Sequence, residues 1–452
     1  MATRVRFKVH PEAAKSFNEK AEVLVTRLSP YILQNQTVRS FRPDGFVSAQ
    51  LSEKDILGEI ETGLVDQRGN EVAKFFQDGK RALGLCGPNF QILADTVRRL
   101  QGLPGLRERV SYKCLLDIAF QWLKMRYRGS MTVPLVEAVL GECEKRVREI
   151  EIWIPVFRLF METEIQIGGV VFKTIDKEML DRLEETLKAA LGGKIAKMQD
   201  VFSRERKDLQ GVAAATVKLL AEPIRASEIA EEEADKAVSL LRFLHPASSS
   251  PYLRCYCTLL GKQALRSSTH LIVEDGKILS KSQKIQPRGS SAWIIDKAEI
   301  TELKAIGLDA LSKMLEDANR SEFEDDLLGS IILYSKNALV EDPSDKLVYV
   351  FAALESILLK DRNEPIQKNL GERMAFLVGQ SAEARMEIVE NVSRTYALRS
   401  SFVHHGESPD DMATLEAFMK FACLCLVALI DQSRTFRTKS QLIEALETRK
   451  MR

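Results

Sequence analysis

The sequence predicts a mainly α-helical protein with an α+β middle region and a helical bundle at its C-terminal end. Three observations carry this. Apolar residues recur at helical spacing through much of the first third. At Ile150 the period changes from helical to alternating. From about Lys297 onward, helix starts and stops follow one another with short connectors. The expected regions are 1–149 (N-terminal, mixed and then mostly helical), 150–298 (α+β with β-hairpins) and 299–452 (all helix).

In the first region Val5, Phe7 and Val9 alternate with basic residues, which predicts a short strand. Residues 72–149 read as helix. Ile92, Leu93, Val97 and Leu100 form one stripe and Leu115, Ile118, Ala119 and Leu123 another, with Pro104-Gly105 between them. In the middle region Ile150, Ile152 and Ile154 alternate with Glu151 and Trp153. Segments 162–167 and 170–175 flank Gly168-Gly169, a hairpin signal. Helices are expected over 177–202 and 226–244. Strands return at 270–273 and 277–279 around Glu274-Asp275-Gly276, and again at 292–295. Pro246 to Pro251 is a loop.

The last region is punctuated by helix caps. Asp342-Pro343-Ser344-Asp345 supplies an N-cap, a first-position proline and early negative charge. Leu347, Val350, Phe351, Leu354 and Leu358 then share a stripe. Glu364-Pro365 opens a second helix that ends near Gly379. Ser381, with Glu383 close by, starts a third that runs to His405, and Gly406 suits the position after its end. Ser408-Pro409-Asp410-Asp411 starts a fourth, carrying the apolar run 421–430. Amphipathic helices with short connectors make a bundle.

Composition narrows the partners. With 452 residues, 45% hydrophobic and 29% charged, the chain is long enough for several domains and is neither disordered nor fibrous. Its net charge of +1 means that any grip on nucleic acid must come from a local basic cleft. Seven cysteines, an odd number scattered through apolar segments, suit a reducing compartment. The N-terminus lacks the apolar core of a signal peptide. The run 421–430 is about half the length needed to span a bilayer. The expectation is a cytoplasmic protein without a membrane partner.

Tyr396-Ala-Leu-Arg-Ser-Ser-Phe-Val-His404-His405-Gly406 places a permanent cation and an imidazole late in one helix. The spacing alone is uninformative, because with four to six intervening residues allowed Arg4 and His10 match as well, with five between. Context separates the two pairs. Upstream of Arg399 lie Ala352-Ala-Leu-Glu355-Ser-Ile-Leu-Leu359 and Leu370-Gly-Glu-Arg-Met-Ala-Phe-Leu377.

This order resembles the HEPN domain of the Apea-like group. There an ALE-type helix precedes an L-x-x-R-x-A-x-L helix, and a third helix ends in LRS-x-x-VH(G). The resemblance covers roughly 325–435, about a quarter of the chain. It implies a helical domain that dimerises and cleaves RNA without a metal or cofactor, with Arg399 and His404 as the catalytic pair. Glu355 corresponds to an accessory acid carried on an earlier helix. In the wider family the residue after the arginine is often Asn, Asp or His, whereas here it is Ser400, which can still hydrogen-bond phosphate. His405 is a second accessory candidate. Proteins with this domain resemble antiviral-defence and abortive-infection toxins. That implies a tRNA, rRNA or mRNA target, a phage-derived trigger, and a sensing or regulatory role for the N-terminal part. The alternative is a non-catalytic HEPN module that dimerises or binds RNA or nucleotide. A third reading is a protein-interaction scaffold.

The side chains suit the chemistry. RNA carries its own nucleophile, the 2′-hydroxyl. Cleavage needs a base for that hydroxyl, an acid for the departing 5′-oxygen and positive charge on the phosphorane. An imidazole serves either proton transfer near neutral pH, while a guanidinium forks onto two phosphate oxygens. Five residues on an ideal helix turn through about 500°, which leaves Arg399 and His404 about 140° apart. The end of the helix must loosen, or a partner subunit must complete the site.

Other candidates carry less. Cys255 and Cys257, near His245 and His270, have no second pair at finger spacing and so do not make a zinc site. Cys423 and Cys425 read as core. Gly192-Gly193-Lys194 lacks the rest of a P-loop. Glu231 to Glu233 form a solvated helix face, and Tyr396 reads as core or interface packing.

Overall fold

A computed structural model describes residues 5–31, 37–42, 45–50, 61–78, 81–191, 199–262, 267–274, 277–285, 292–361, 363–406 and 411–450. It contains two compact units. The first comprises residues 1–150 with 218–229, and the second 151–217 with 230–452. The expected middle and C-terminal regions thus fall within one unit, apart from the segment 218–229.

The first unit opens with α1 (Pro11–Thr26), β1 (Ser29–Tyr31), the hairpin strands β2 (Thr37–Arg42) and β3 (Gly45–Gln50), and then β4 (Glu61–Val65), β5 (Glu71–Asp78) and β6 (Arg81–Cys86). Helices α2 (Gly87–Gln101), α3 (Leu106–Arg109), α4 (Tyr112–Tyr127) and α5 (Leu135–Arg146) follow. Residues 5–10 are irregular, so the alternation at Val5, Phe7 and Val9 does not make a strand. Helix also begins later than residue 72. Strands β5 and β6 occupy 71–86 in an antiparallel sheet of order β1-β6-β5-β4. Four successive residues of β5, Ala73 to Phe76, are buried, so the strand lacks the alternation that would have announced it. Buried Lys74 is neutralised by Asp117 of α4. At Gly84 a β-carbon would stand 2.1 Å from the Lys74 carbonyl oxygen, so β6 needs glycine there. Phe76, Leu85, Leu93, Val97, Leu115 and Phe120 build the core between sheet and helices.

The segment 218–229 completes this unit through Glu222, which is 2% exposed. Its carboxylate accepts from the backbone amides of Ser111 (3.0 Å), Ile224 (2.9 Å) and Arg225 (2.8 Å). Burial pushes this carboxyl up, but the hydrogen bonds outweigh it and hold the group ionised.

The second unit holds most of β7 (Arg148–Phe157), then β8 (Leu159–Met161), β9 (Ile165–Ile167), β10 (Val170–Thr174), α6 (Lys177–Leu191) and α7 (Gln199–Leu209), the first half of β11 (Ala213–Ala221) and the later turns of α8 (Pro223–Leu244). Next come β12 (Thr258–Leu259), β13 (Ser267–Glu274), β14 (Lys277–Ile285) and β15 (Trp293–Ile295). Its five-stranded sheet has the order β12-β7-β11-β10-β9. The hairpin at Gly168-Gly169 pairs Ile167 with Val170, with Gly168 at φ 59°. The helix expected over 177–202 is two helices, and Gly192-Gly193-Lys194 lies outside the described residues. So do Asp275 and Gly276, although β13 and β14 pair on either side of them. Glu232 and Glu233 of α8 both pair with Lys236.

Helices fill the remainder: α9 (Lys297–Ile306), α10 (Leu308–Glu316), α11 (Glu322–Ser335), α12 (Pro343–Leu358), α13 (Ile366–Val378), α14 (Ala382–His405), α15 (Met412–Gln432) and α16 (Lys439–Lys450). Local caps fix their starts. Ser321 and Glu324 form a reciprocal box at α11, in which the Ser321 hydroxyl accepts from the Glu324 amide and the Glu324 carboxylate accepts from the Ser321 amide at 2.7 Å. Ser321→Ala should cost about 1 kcal/mol in urea denaturation. Asp342 caps α12 and Asp411 caps α15. Ser408, Pro409 and Asp410, expected at the start of α15, lie outside the described residues.

Two buried cations tie irregular chain to this bundle. Lys346 donates to the carbonyls of Ser250 (3.1 Å) and Leu253 (2.7 Å), and burial with nearby Arg254 brings its amine down to about 8. Arg242 donates to the carbonyls of Ser335 (3.1 Å) and Cys257 (2.8 Å). Helix α15 is longer than the run 421–430 suggests. Among the described residues it alone is long and apolar enough to cross a membrane. Half of its apolar window is nevertheless buried, with Phe418, Ala422, Cys425 and Leu429 enclosed among the helices.

Candidate active site

The site is assembled on α12 and α14. Ser381 starts α14 by accepting from the Ala384 amide at 3.1 Å. Gly406 ends it in the left-handed region (φ 72°) and donates to the Phe402 carbonyl at 2.8 Å. Arg399 therefore lies two turns before the end of a well-capped helix, and His404 and His405 lie in its last turn.

Arg399 is half-buried. Its guanidinium carbon lies 5.9 Å from the centre of the Tyr396 ring. Tyr396 packs edge-on against Phe351 of α12 at 5.7 Å, and Phe351 stacks on Phe418 of α15 at 4.6 Å. A row of rings thus carries the cation from the core to the edge of the bundle. Tyr396 is packing, as its type suggests, and it is also the platform beneath Arg399.

Glu355, one turn after Phe351 on α12, faces the same place. Burial raises its carboxyl above the usual range, and the Arg399 charge opposes that rise. The two groups feel each other without bonding. Glu355 Oε1 and Arg399 Nε are both buried and both lack a hydrogen-bond partner. Unsatisfied buried polar atoms cost free energy, and these two lie on neighbouring helices.

Ser400 is half-buried, whereas His404 and His405 are exposed, with ring centres 6.5 Å apart. No hydrogen bond joins Arg399 to either histidine among the described residues. The structure therefore brings Glu355, Tyr396 and Arg399 together within one chain and leaves His404 and His405 on the surface beyond them.

The arginine of the preceding motif does different work. Arg373 on α13 is 3% exposed. It donates to both oxygens of Glu364 (2.7 and 2.9 Å), to the Leu358 carbonyl (2.6 Å) and to Glu447 of α16 (3.1 Å). It locks the end of α12, and with it Glu355, against α13 and α16. Residue type alone did not single out this brace. The available signal was Glu364-Pro365 at the start of the helix that carries Arg373.

No group of three His, Cys, Asp or Glu side chains converges among the described residues. Cys255 and Cys257 are both buried beside Arg242, and Cys425 is buried in α15. His245 caps a short turn by accepting from the Ala247 amide at 3.0 Å, and burial lowers it to about 4.

No protein family, curated protein or solved structure matches this chain.

Proposed function

We propose that the C-terminal helices form a HEPN-type domain that cleaves RNA as a metal-independent endoribonuclease. The observation that carries this reading is the unsatisfied Arg399–Glu355 pair, half-buried on a ring platform two turns before exposed histidines. Arg399 grips two oxygens of the scissile phosphate. An imidazole, His404, takes the proton from the 2′-hydroxyl or delivers one to the leaving 5′-oxygen. The 2′-oxygen bonds to phosphorus as the bond to the 5′-oxygen breaks, which gives a 2′,3′-cyclic phosphate and a 5′-hydroxyl. Ser400 supplies a further donor to phosphate, and His405 assists. No cofactor enters.

A second copy of the chain completes the site, because five residues of helix hold Arg399 and His404 on different faces. Val403 (49% exposed) and Leu424 (52% exposed), on α14 and α15, are apolar surface available to such a homodimer. The RNA is tRNA, rRNA or mRNA in the cytoplasm. The N-terminal unit restrains the nuclease until a trigger arrives, as in antiviral-defence toxins, a placement that rests on analogy.

The test is incubation of total RNA with the full chain in EDTA, alongside Arg399→Ala and His404→Ala. Cleavage that resists chelation, leaves cyclic phosphate ends and is lost in both variants supports the reading. Equal cutting by the variants, or none by the wild type, favours a non-catalytic module that dimerises or binds RNA. The missing bond between Arg399 and His404 in one chain is what speaks for that second reading.

A further inference from the structure

In the first unit an open cleft of about 340 Å³ lies between α1 and α2. That volume falls at the lower end of the range for small-ligand sites, roughly 300–1,000 Å³. Its floor is aliphatic: Val23, which is 46% exposed, with Leu24 and Ile92. Its rim is cationic. Lys20 and Arg99 are exposed and have no hydrogen-bond or ion-pair partner among the described residues. Among the described residues the Arg27 guanidinium meets only the side-chain oxygen of Asn89, at 3.4 Å. Among the described residues none of these three cations pairs with a carboxylate, in a chain of net charge +1. Asp95 also lines the cleft. Its Oδ1 accepts from Gln91 (2.8 Å) and Arg98 (2.9 Å), which leaves Oδ2 open among the described residues.

We propose that this cleft binds a mononucleotide. The three kinds of surface match the three parts of such a ligand. The base lies on the aliphatic floor, a ribose hydroxyl donates to Asp95 Oδ2, and the phosphate meets Arg27, Arg99 and Lys20. A simple inorganic anion would use only the rim, and an apolar ligand only the floor. The site is independent of the C-terminal chemistry and is read by binding, not by cleavage.

Isothermal titration of the full chain with AMP, GMP, CMP and UMP tests this, with adenosine, inorganic phosphate and a short single-stranded RNA as comparisons. At least one mononucleotide should bind saturably at one site. The nucleoside or phosphate alone should bind at least about tenfold more weakly. Arg27→Ala and Arg99→Ala should each weaken the nucleotide by about tenfold, and Val23→Asp by a similar factor. All three residues are exposed, so the fold should survive, and far-UV circular dichroism checks that it does. The proposal is overturned if no mononucleotide saturates, or if inorganic phosphate binds as tightly. It is equally overturned if RNA binds better than any mononucleotide, or if the Arg27→Ala/Arg99→Ala double variant binds unchanged.

Discussion

Arg399→Ala should slow RNA cleavage by about 10²–10³-fold, the scale of losing one preorganised contact to developing charge. His404→Ala should slow it by about 10²–10⁴-fold, the scale of losing a positioned proton carrier. Arg399→Lys is the sharper probe. It keeps the charge and loses the fork, so it should stay well below wild type. Neither alanine variant should lower the melting temperature much. Arg399 Nε makes no hydrogen bond to lose, and His404 is exposed. Activity that falls while the fold holds distinguishes a catalytic pair from a structural one. The Glu355 carboxyl gives an independent readout. Burial raises it, so between its ordinary and its folded value the unfolded chain holds fewer protons, and stability falls as pH rises through that window. Glu355→Gln should therefore be more stable than wild type at neutral pH in urea denaturation, and less active. A stable variant with full activity would remove Glu355 from the site.

Arg373→Ala should destabilise the second unit by about 3–5 kcal/mol, the typical result of taking one partner from a buried ion pair. The arginine is 3% exposed, and without it Glu364 and the Leu358 carbonyl lose their donors. The same brace sets an acid limit. The Arg373 fork, ahead of the Lys360 amide, holds the Glu364 carboxyl down at about 2 from an ordinary 4.5. A lowered carboxyl stabilises the fold above its unfolded value. That contribution, about 3 kcal/mol, should drain away as pH falls from about 4.5 towards 2. Denaturation of wild type and Glu364→Gln across this range checks it. The wild type should lose its advantage over the variant as the acid range is entered.

The helices of the second unit were the most legible part of the chain. Asp342-Pro343, Ser381 and Gly406 act through local hydrogen bonds that any neighbourhood permits, so cap residues placed α12 and α14 nearly to the residue. The Gly168-Gly169 hairpin was legible for the same reason. Strands β5 and β6 were not. Both are buried over four successive residues, which removes the alternation that marks a strand with one face in water. The alternation at Val5, Phe7 and Val9 failed in the opposite way, since among the described residues no strand pairs with it. At the site, Arg399 and His404 came from the motif. The meeting of Glu355 with Arg399, and the Phe418–Phe351–Tyr396 row beneath, depend on how three helices cross, which no single stretch of sequence records.

Glu222 has one more consequence, for how this molecule is made. The Ser111 amide is satisfied by a carboxylate 111 residues downstream. The ribosome must therefore read through the strands of the second unit before the first can close. A gene cut after codon 150 would yield a piece whose interior still waits for its last twelve residues. Dissection of this protein should carry 218–229 back to the N-terminal half by circular permutation or grafting.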